Sequence, residues 1–293
     1  VEEQPMADLP DTLFKVMKLA EHRLSANNSH SPHSEIEWLM MDLFSCSRAH
    51  LYLNRHQRLT EKKLLLLSSW VERRINGEPL QYITQRTEFF GLPIQLNQHV
   101  MIPRPETEKL VEVAIHHARK TRAATIVDAG TGSGCIAIAI AKSLPEVQLL
   151  ALDCSEDALE LASRNALRNG VADRIIFEES DVLTQNLPDS FDLLVSNPPY
   201  IPIDDMAHLP ADVRDYEPIH ALTDGYDGLA FYRRLCATAR HWIASGGFMV
   251  LETGRGEHPG KVRHLFENAG FVATTTHQDY NGNDRVISIQ VTE

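Results

Sequence analysis

Cysteine is scarce. Cys46, Cys135, Cys154 and Cys236 are scattered over 293 positions, and no two form a C-x-x-C pair. That argues against a zinc site and against a disulfide framework, and the expectation is reduced thiols in a cytoplasmic compartment. The histidines make no H-E-x-x-H pattern. His116-His117 falls in a helical stretch, and His30 and His33 in a polar loop, so no metal site is expected. No apolar run approaches the roughly 20 residues that a membrane span requires. Positive charge is in deficit as well: the net charge is -12. With no basic segment interleaved with aromatics, this weighs against a protein that grips phosphate backbones. Neither a membrane nor a nucleic acid is expected as a direct partner; a basic protein partner fits. The opening Val1-Glu2-Glu3-Gln4-Pro5 is acidic and polar, unlike a secretory signal. A start at Val rather than Met leaves room for an upstream piece.

What is present is a globular composition, 43% hydrophobic and 23% charged, in a chain comfortable for two domains. Residues 1–77 read as a small helical bundle beginning near Asp11. Leu13, Val16, Met17, Ala20 and Leu24 keep helical spacing, and Asn27-Asn28-Ser29-His30-Ser31-Pro32 breaks the pattern. Ser34 then reads as an N-cap with Glu35 and Glu37 behind it, and Thr60 caps a helix over 61–75. Residues 78–104 read as a β-hairpin linker: Gln81-Tyr82-Ile83 and 87–96 look β-like, with Gly91 at the turn. Pro105, followed by Glu106 and Glu108, starts a helix.

From Thr125 strands and helices alternate. Ile126-Val127-Asp128-Ala129, 147–152, 174–178 and 191–196 read as strands with helices between them, which implies a parallel sheet flanked by helices. Residues 201–228 are a long polar segment, expected as a lid or binding loop. Helices over 229–244 and 259–269 follow, with Ser245-Gly246-Gly247 as a turn. A closing β pair flanks Asp279-Tyr280-Asn281-Gly282-Asn283-Asp284.

Two stretches carry chemistry. The loop Gly130-Thr131-Gly132-Ser133-Gly134 joins a strand to a helix, where glycines allow close approach and N–H groups favour an anionic group. A dinucleotide or S-adenosylmethionine suits such a loop. The dinucleotide fingerprint requires glycine where Cys135 stands. Asp153, ending the second strand, has lone pairs enough for a ribose diol. Asp181, ending the third, suits an adenine amino group, with Val182 as an apolar wall and Cys154 as packing. The second stretch is Asn197-Pro198-Pro199-Tyr200, after the fourth strand. Two prolines fix the backbone there and hold a carboxamide at the strand tip. The Asn197 side-chain oxygen and the Pro198 carbonyl would accept both N–H bonds of a planar NH2 group, and Tyr200 would pack on its flat face.

The alternating glycines after Asp128 resemble class I methyltransferases. The Asn-Pro-Pro-Tyr tip resembles amino-group methyltransferases acting on glutamine or adenine. Pro103-Arg104-Pro105-Glu106-Thr107-Glu108, 212–218, 279–285 and Gly77-Glu78-Pro79 narrow this to a resemblance to the HemK/PrmC family. The resemblance implies an α/β fold: a class I S-adenosylmethionine-dependent, Rossmann-like sheet over 105–293, with the helical bundle and hairpin before it. It implies methyl transfer to the side-chain nitrogen (N5) of the glutamine in the Gly-Gly-Gln motif of a class I peptide chain release factor. S-adenosylhomocysteine would be the product, the enzyme a monomer, and the helical bundle the docking domain. It also implies that residues 130–134, Asp153, Val182 and Asn197 contact S-adenosylmethionine, with Asp181 beside them. Asn197, Pro198, Pro199 and Tyr200 would hold the glutamine, and Arg104 and Glu106 would brace the pocket. A ribosomal-protein glutamine methyltransferase, an adenine-N6 methyltransferase and a non-catalytic release-factor binder are the competing readings.

Overall fold

The structure is a computed structural model describing residues 12–27, 31–187 and 190–292. Asp11, where the helical region is expected to begin, and Asn28, Ser29 and His30 of the expected break lie outside the described residues, as do the first ten positions. The chain divides into two compact units. One comprises Val1–Gln85 with Ala211–Tyr216, the other Arg86–Pro210 with Glu217–Glu293.

The first unit is helical: α1 (Leu13–Ala26), α2 (Pro32–Phe44), α3 (Arg48–Leu53), α4 (Glu61–Ile75) and α5 (Leu80–Thr84). The apolar stripe of α1 packs against Ile36, Leu39 and Met40 of α2 and Leu67, Trp70 and Val71 of α4. The Thr60 hydroxyl caps α4 by accepting from the Lys63 N–H. Helix α2 starts at Pro32, two residues ahead of the expected Ser34 cap, because proline needs no N–H in a first turn. Glu35 lies in that turn, and its two oxygens accept from Arg74 at 2.9 and 3.0 Å, a bidentate pair. The stretch expected as β-like at Gln81-Tyr82-Ile83 is helical. Tyr82 and Ile83 are both buried, and burying neighbours suits a helix face better than a strand, whose side chains alternate.

The second unit opens with a hairpin, β1 (Arg86–Phe89) against β2 (Leu92–Gln95), turned by Phe90 and Gly91, both at positive φ. There follow α6 (Thr107–Thr121), β3 (Thr125–Ala129), α7 (Cys135–Ser143), β4 (Gln148–Asp153), α8 (Glu156–Arg168), β5 (Ile175–Glu179) and β6 (Phe191–Ser196). The expected lid segment folds as a 3-10 turn (Ile203–His208), α9 (Ala211–Tyr216, part of the first unit) and α10 (Ile219–Leu222). Pieces this short display no helical period in sequence. Helix α11 (Ala230–Trp242), β7 (Ile243–Glu252), α12 (His258–Asn268), β8 (Thr274–Gln278) and β9 (Asp284–Gln290) complete the unit. Ser245-Gly246-Gly247, expected as a turn, lies inside β7. Its register against β6 shifts between Phe191 and Leu193, the mark of a bulge.

Among the described residues one sheet has seven strands, ordered β5-β4-β3-β6-β7-β9-β8. Pairings from β5 to β7 are parallel, while β9 pairs antiparallel with β7 and β8. The chain winds outward from β3 in both directions. The crevice beyond the ends of β3 and β6 is therefore the switch point where open α/β sheets take ligands. Among the described residues no helix is long and apolar enough to cross a membrane.

Candidate active site

The loop after β3 and the tip after β6 are set side by side by strand register. Asp128 pairs with Val195, and one residue on the Ser196 hydroxyl donates to the Ala129 carbonyl at 2.6 Å. A cleft of about 860 Å³, part of it open solvent, lies over these strand ends. Gly130, Thr131, Gly132, Ser133, Asp153, Asp181, Val182, Asn197 and Pro199 all line it.

The loop is held by the protein's own acceptors. The Gly130 and Thr131 N–H groups donate to the Leu152 carbonyl at 2.9 and 2.8 Å, and the Gly134 N–H donates to the Thr131 carbonyl at 2.9 Å. The Gly132 N–H donates to Asp153 Oδ2 at 2.8 Å. These four amides are therefore already committed within the protein. Gly130 and Gly132 have φ of +77° and +54°, and a Cβ built on either meets no atom within 4 Å. Their glycine character thus keeps space open beside the backbone. Gly134 is a different case. It is absent from the lining, and a Cβ there would sit 3.0 Å from that of Ala162, so it serves packing of α7 on α8.

Beneath the loop Asp128 is fully buried. It accepts from the Thr131 hydroxyl at 2.7 Å and the Ala137 N–H at 3.2 Å, and burial pushes its pKa up to about 7. Asp153 Oδ1 takes the Ser155 N–H at 3.0 Å, so each of its oxygens keeps further acceptor capacity toward the cleft. Burial raises its pKa, opposed by the Gly132 and Ser155 N–H groups. Asp181 is tied likewise, to the Leu183 N–H and the Thr184 hydroxyl. Cys154, expected as packing, is exposed and lines the cleft.

At the tip Asn197 Nδ2 donates to Thr107 Oγ1 at 3.3 Å. Pro198 is buried and, with Tyr200, absent from the lining. The Tyr200 hydroxyl accepts from Arg285 Nη2 at 3.0 Å, and its ring lies 5.9 Å from the His258 ring. It anchors the tip, where a ring stacked on the acceptor was expected. The chain passes so close to Gly228 that a Cβ there would stand 2.2 Å from the Tyr200 carbonyl oxygen. Glu252, fully buried, accepts from the same Arg285 nitrogen at 3.1 Å; burial pushes its pKa up to about 7, against the pull of Arg285 and Thr107.

A family profile described as PrmC N-terminal domain matches residues 15–84, and one described as methyltransferase small domain matches residues 107–208. A release factor glutamine methyltransferase of Geobacter sulfurreducens is 41% identical over 284 residues, covering 96% of this chain and 98% of that one. The chain belongs to the release factor glutamine methyltransferase family. A member from Clostridium acetobutylicum is 34% identical, covering 95% of this chain and 97% of that one. The solved hMettl16 catalytic domain in complex with MAT2A 3′UTR hairpin 6 matches with a TM-score of 0.56 at 16% identity, over 82% of this chain and 86% of that one. At that identity the likeness speaks for the fold.

In this family member Arg104 and Glu106 are ion-paired, Arg104 to the buried Glu217 and Glu106 to Arg255 at 2.6 Å. Glu217 also accepts the Ile102 N–H at 3.3 Å, so these pairs fasten the chain entering α6. Sequence reasoning missed His99, Met101, Thr107, His220 and Phe231, all of which line the cleft. Thr107 lies inside the Pro-Arg-Pro-Glu-Thr-Glu motif, where no side chain was assigned a role toward the ligand. His220 lies in the polar segment at 201–228, expected as a lid or binding loop but with none of its residues assigned to the site.

Proposed function

We propose that this protein transfers a methyl group from S-adenosylmethionine to the side-chain amide nitrogen of the glutamine in the Gly-Gly-Gln motif of a class I peptide chain release factor. The observation that carries this reading is the shared cleft: the open glycine cradle at 130–132 and the Asn197 carboxamide face one space at adjacent strand ends. The residues fit the donor. Gly130 and Gly132 admit it against backbone, Asp153 has lone pairs for a diol, and Val182 offers an apolar wall beside Asp181. When bound, S-adenosylmethionine supplies an electrophilic methyl group on a sulfonium.

The acceptor is the harder partner. An amide nitrogen shares its lone pair with the carbonyl, a conjugation seen in the roughly 18–20 kcal/mol rotation barrier. The Asn197 oxygen, at the cleft wall, accepts from one N–H bond and returns density to that nitrogen; Pro198, behind the lining, holds the tip. Orientation at the strand tip supplies much of the remaining acceleration. No strong base is needed beforehand, because a methylated amide nitrogen sheds its proton readily. The helical unit docks the factor, the protein acts in the cytoplasm as a monomer, and no nucleic acid is required.

The test is transfer of a labelled methyl from S-adenosylmethionine to a purified release factor. Labelling is expected on the wild-type factor and not on one whose motif glutamine is alanine. Asn197→Ala is expected to abolish transfer while affecting donor affinity less. Equal labelling of both factors would overturn the substrate assignment.

A further inference from the structure

Residues 223–228 form a turn that the transfer chemistry does not use, yet it grips the chain leaving the tip. Asp224 folds it: Oδ1 accepts the Tyr226 and Gly228 N–H groups at 2.8 and 3.0 Å, and Oδ2 accepts the Ala230 N–H at 2.8 Å. Just beyond the tip, the Ile201 and Ile203 N–H groups donate to the Leu222 and Tyr226 carbonyls at 3.0 and 2.9 Å. Gly228 then closes on Tyr200 itself. A Cβ there would stand 2.2 Å from the Tyr200 carbonyl oxygen and 2.9 Å from its carbon, so backbone meets backbone.

His258, the first residue of α12, ties this turn down from behind. The Gly254 N–H donates to its Nδ1 at 3.2 Å, so Nδ1 carries no proton. The ring proton therefore sits on Nε2, which donates to the Gly228 carbonyl at 3.1 Å. One backbone amide thus sets the tautomer that the other contact needs. The imidazole is confined as well: a Cβ at Gly254 would stand 3.2 Å from its Cγ and 3.4 Å from Tyr200 Cδ2. Burial lowers the His258 pKa, with Lys261 and Arg285 adding to this against the Gly228 carbonyl and Asp224, so the ring is neutral at neutral pH.

Resting on the methyl-transfer reading above, we infer that His258 is a positioning residue: through its Nε2–H bond to Gly228 it holds the 223–228 turn against Tyr200, and so fixes the Asn197 carboxamide at the acceptor. Pro198 and Pro199 stiffen the stretch between, so a shift at Tyr200 reaches Asn197. A misplacement of about 1 Å at a reacting group can cost about a hundredfold in rate.

The experiment separates the two arms of the ring. The amide of His258→Gln reaches the place of Nε2 and can donate to Gly228, whereas that of His258→Asn reaches only the place of Nδ1 and can accept from Gly254. In methylation of a purified class I release factor, His258→Asn is expected to lower kcat by about tenfold or more, with Kd for S-adenosylmethionine within about threefold of wild type. His258→Gln is expected to recover kcat to within about threefold of wild type. Wild-type kcat in His258→Asn, or His258→Gln as slow as His258→Asn, overturns the inference. A substrate-free arm separates it from the function reading. Hydrogen exchange at the Ile201 and Ile203 amides should quicken by about tenfold or more in His258→Asn but not in His258→Gln, while the amides of β3 keep their wild-type protection. Unchanged exchange at Ile201 and Ile203, or an equal acceleration in β3, overturns the positioning role whatever the substrate. An unlabelled factor with the exchange difference intact overturns only the substrate.

Discussion

Arg285 Nη2 lies 3.1 Å from Glu252 Oε1, with side chains 5% and 0% exposed. Removing one member of such a pair strands the other, at a cost of about 3–5 kcal/mol while the stranded group stays charged. Glu252 has an exit, because burial already pushes it up to about 7 and Arg285 is the strongest influence holding it down. In Arg285→Leu its pKa climbs further, and the group protonates rather than remaining a naked anion. The variant is therefore expected to be destabilised more at pH 8 than at pH 6. Urea unfolding at both values checks this; an equal loss at both would mean that packing of the guanidinium, rather than its charge, matters.

The sheet was legible because its strands are short apolar runs closed by Asp, Gly or Pro, and because β3, β4, β5 and β6 occur at βαβ spacing. Asn197 and the loop at 130–134 were legible for the same reason: each ends a strand whose place in the sheet follows from that order. What escaped was long-range. Nothing local in Tyr200 says that its hydroxyl meets Arg285, 85 positions away. Nothing in Glu252 says that it is buried beside Thr107. Residues 201–228 misled because helices of four to six residues are too short to show a period. Gln81-Tyr82-Ile83 misled because β-propensity yielded to packing that buries two neighbours at once.

Gly130→Ala separates the cost of backbone strain from that of filling the cleft. A side chain at φ +77° costs about 1–2 kcal/mol, and here the new methyl would also stand in the space the loop keeps open. Gly170, at φ +67° with nothing near its Cβ position and outside the cleft lining, is the matched control. Both alanine variants should lose similar stability in thermal unfolding. Gly130→Ala alone should weaken S-adenosylmethionine binding in calorimetry, by about tenfold or more. Equal affinities in the two variants would take the donor away from this loop.

Asp128 links the same loop to stability. Its pKa rises from 3.8 to about 7 through burial, against the Thr131 hydroxyl and the Ala137 N–H. Between those values the folded protein holds a proton that the unfolded chain has released, so this group's contribution to stability falls as pH rises toward 7. Asp128→Asn keeps the shape and an acceptor oxygen but does not titrate. Between about pH 5 and about pH 8 it should lose roughly 3 kcal/mol less stability than wild type. Titrating groups remote from Asp128 are common to both proteins and cancel in the comparison; Asp153 and Cys135, which interact with its charge, do not. Urea unfolding across that range measures the difference, and parallel profiles would mean that Asp128 titrates in the loop as it does in the unfolded chain.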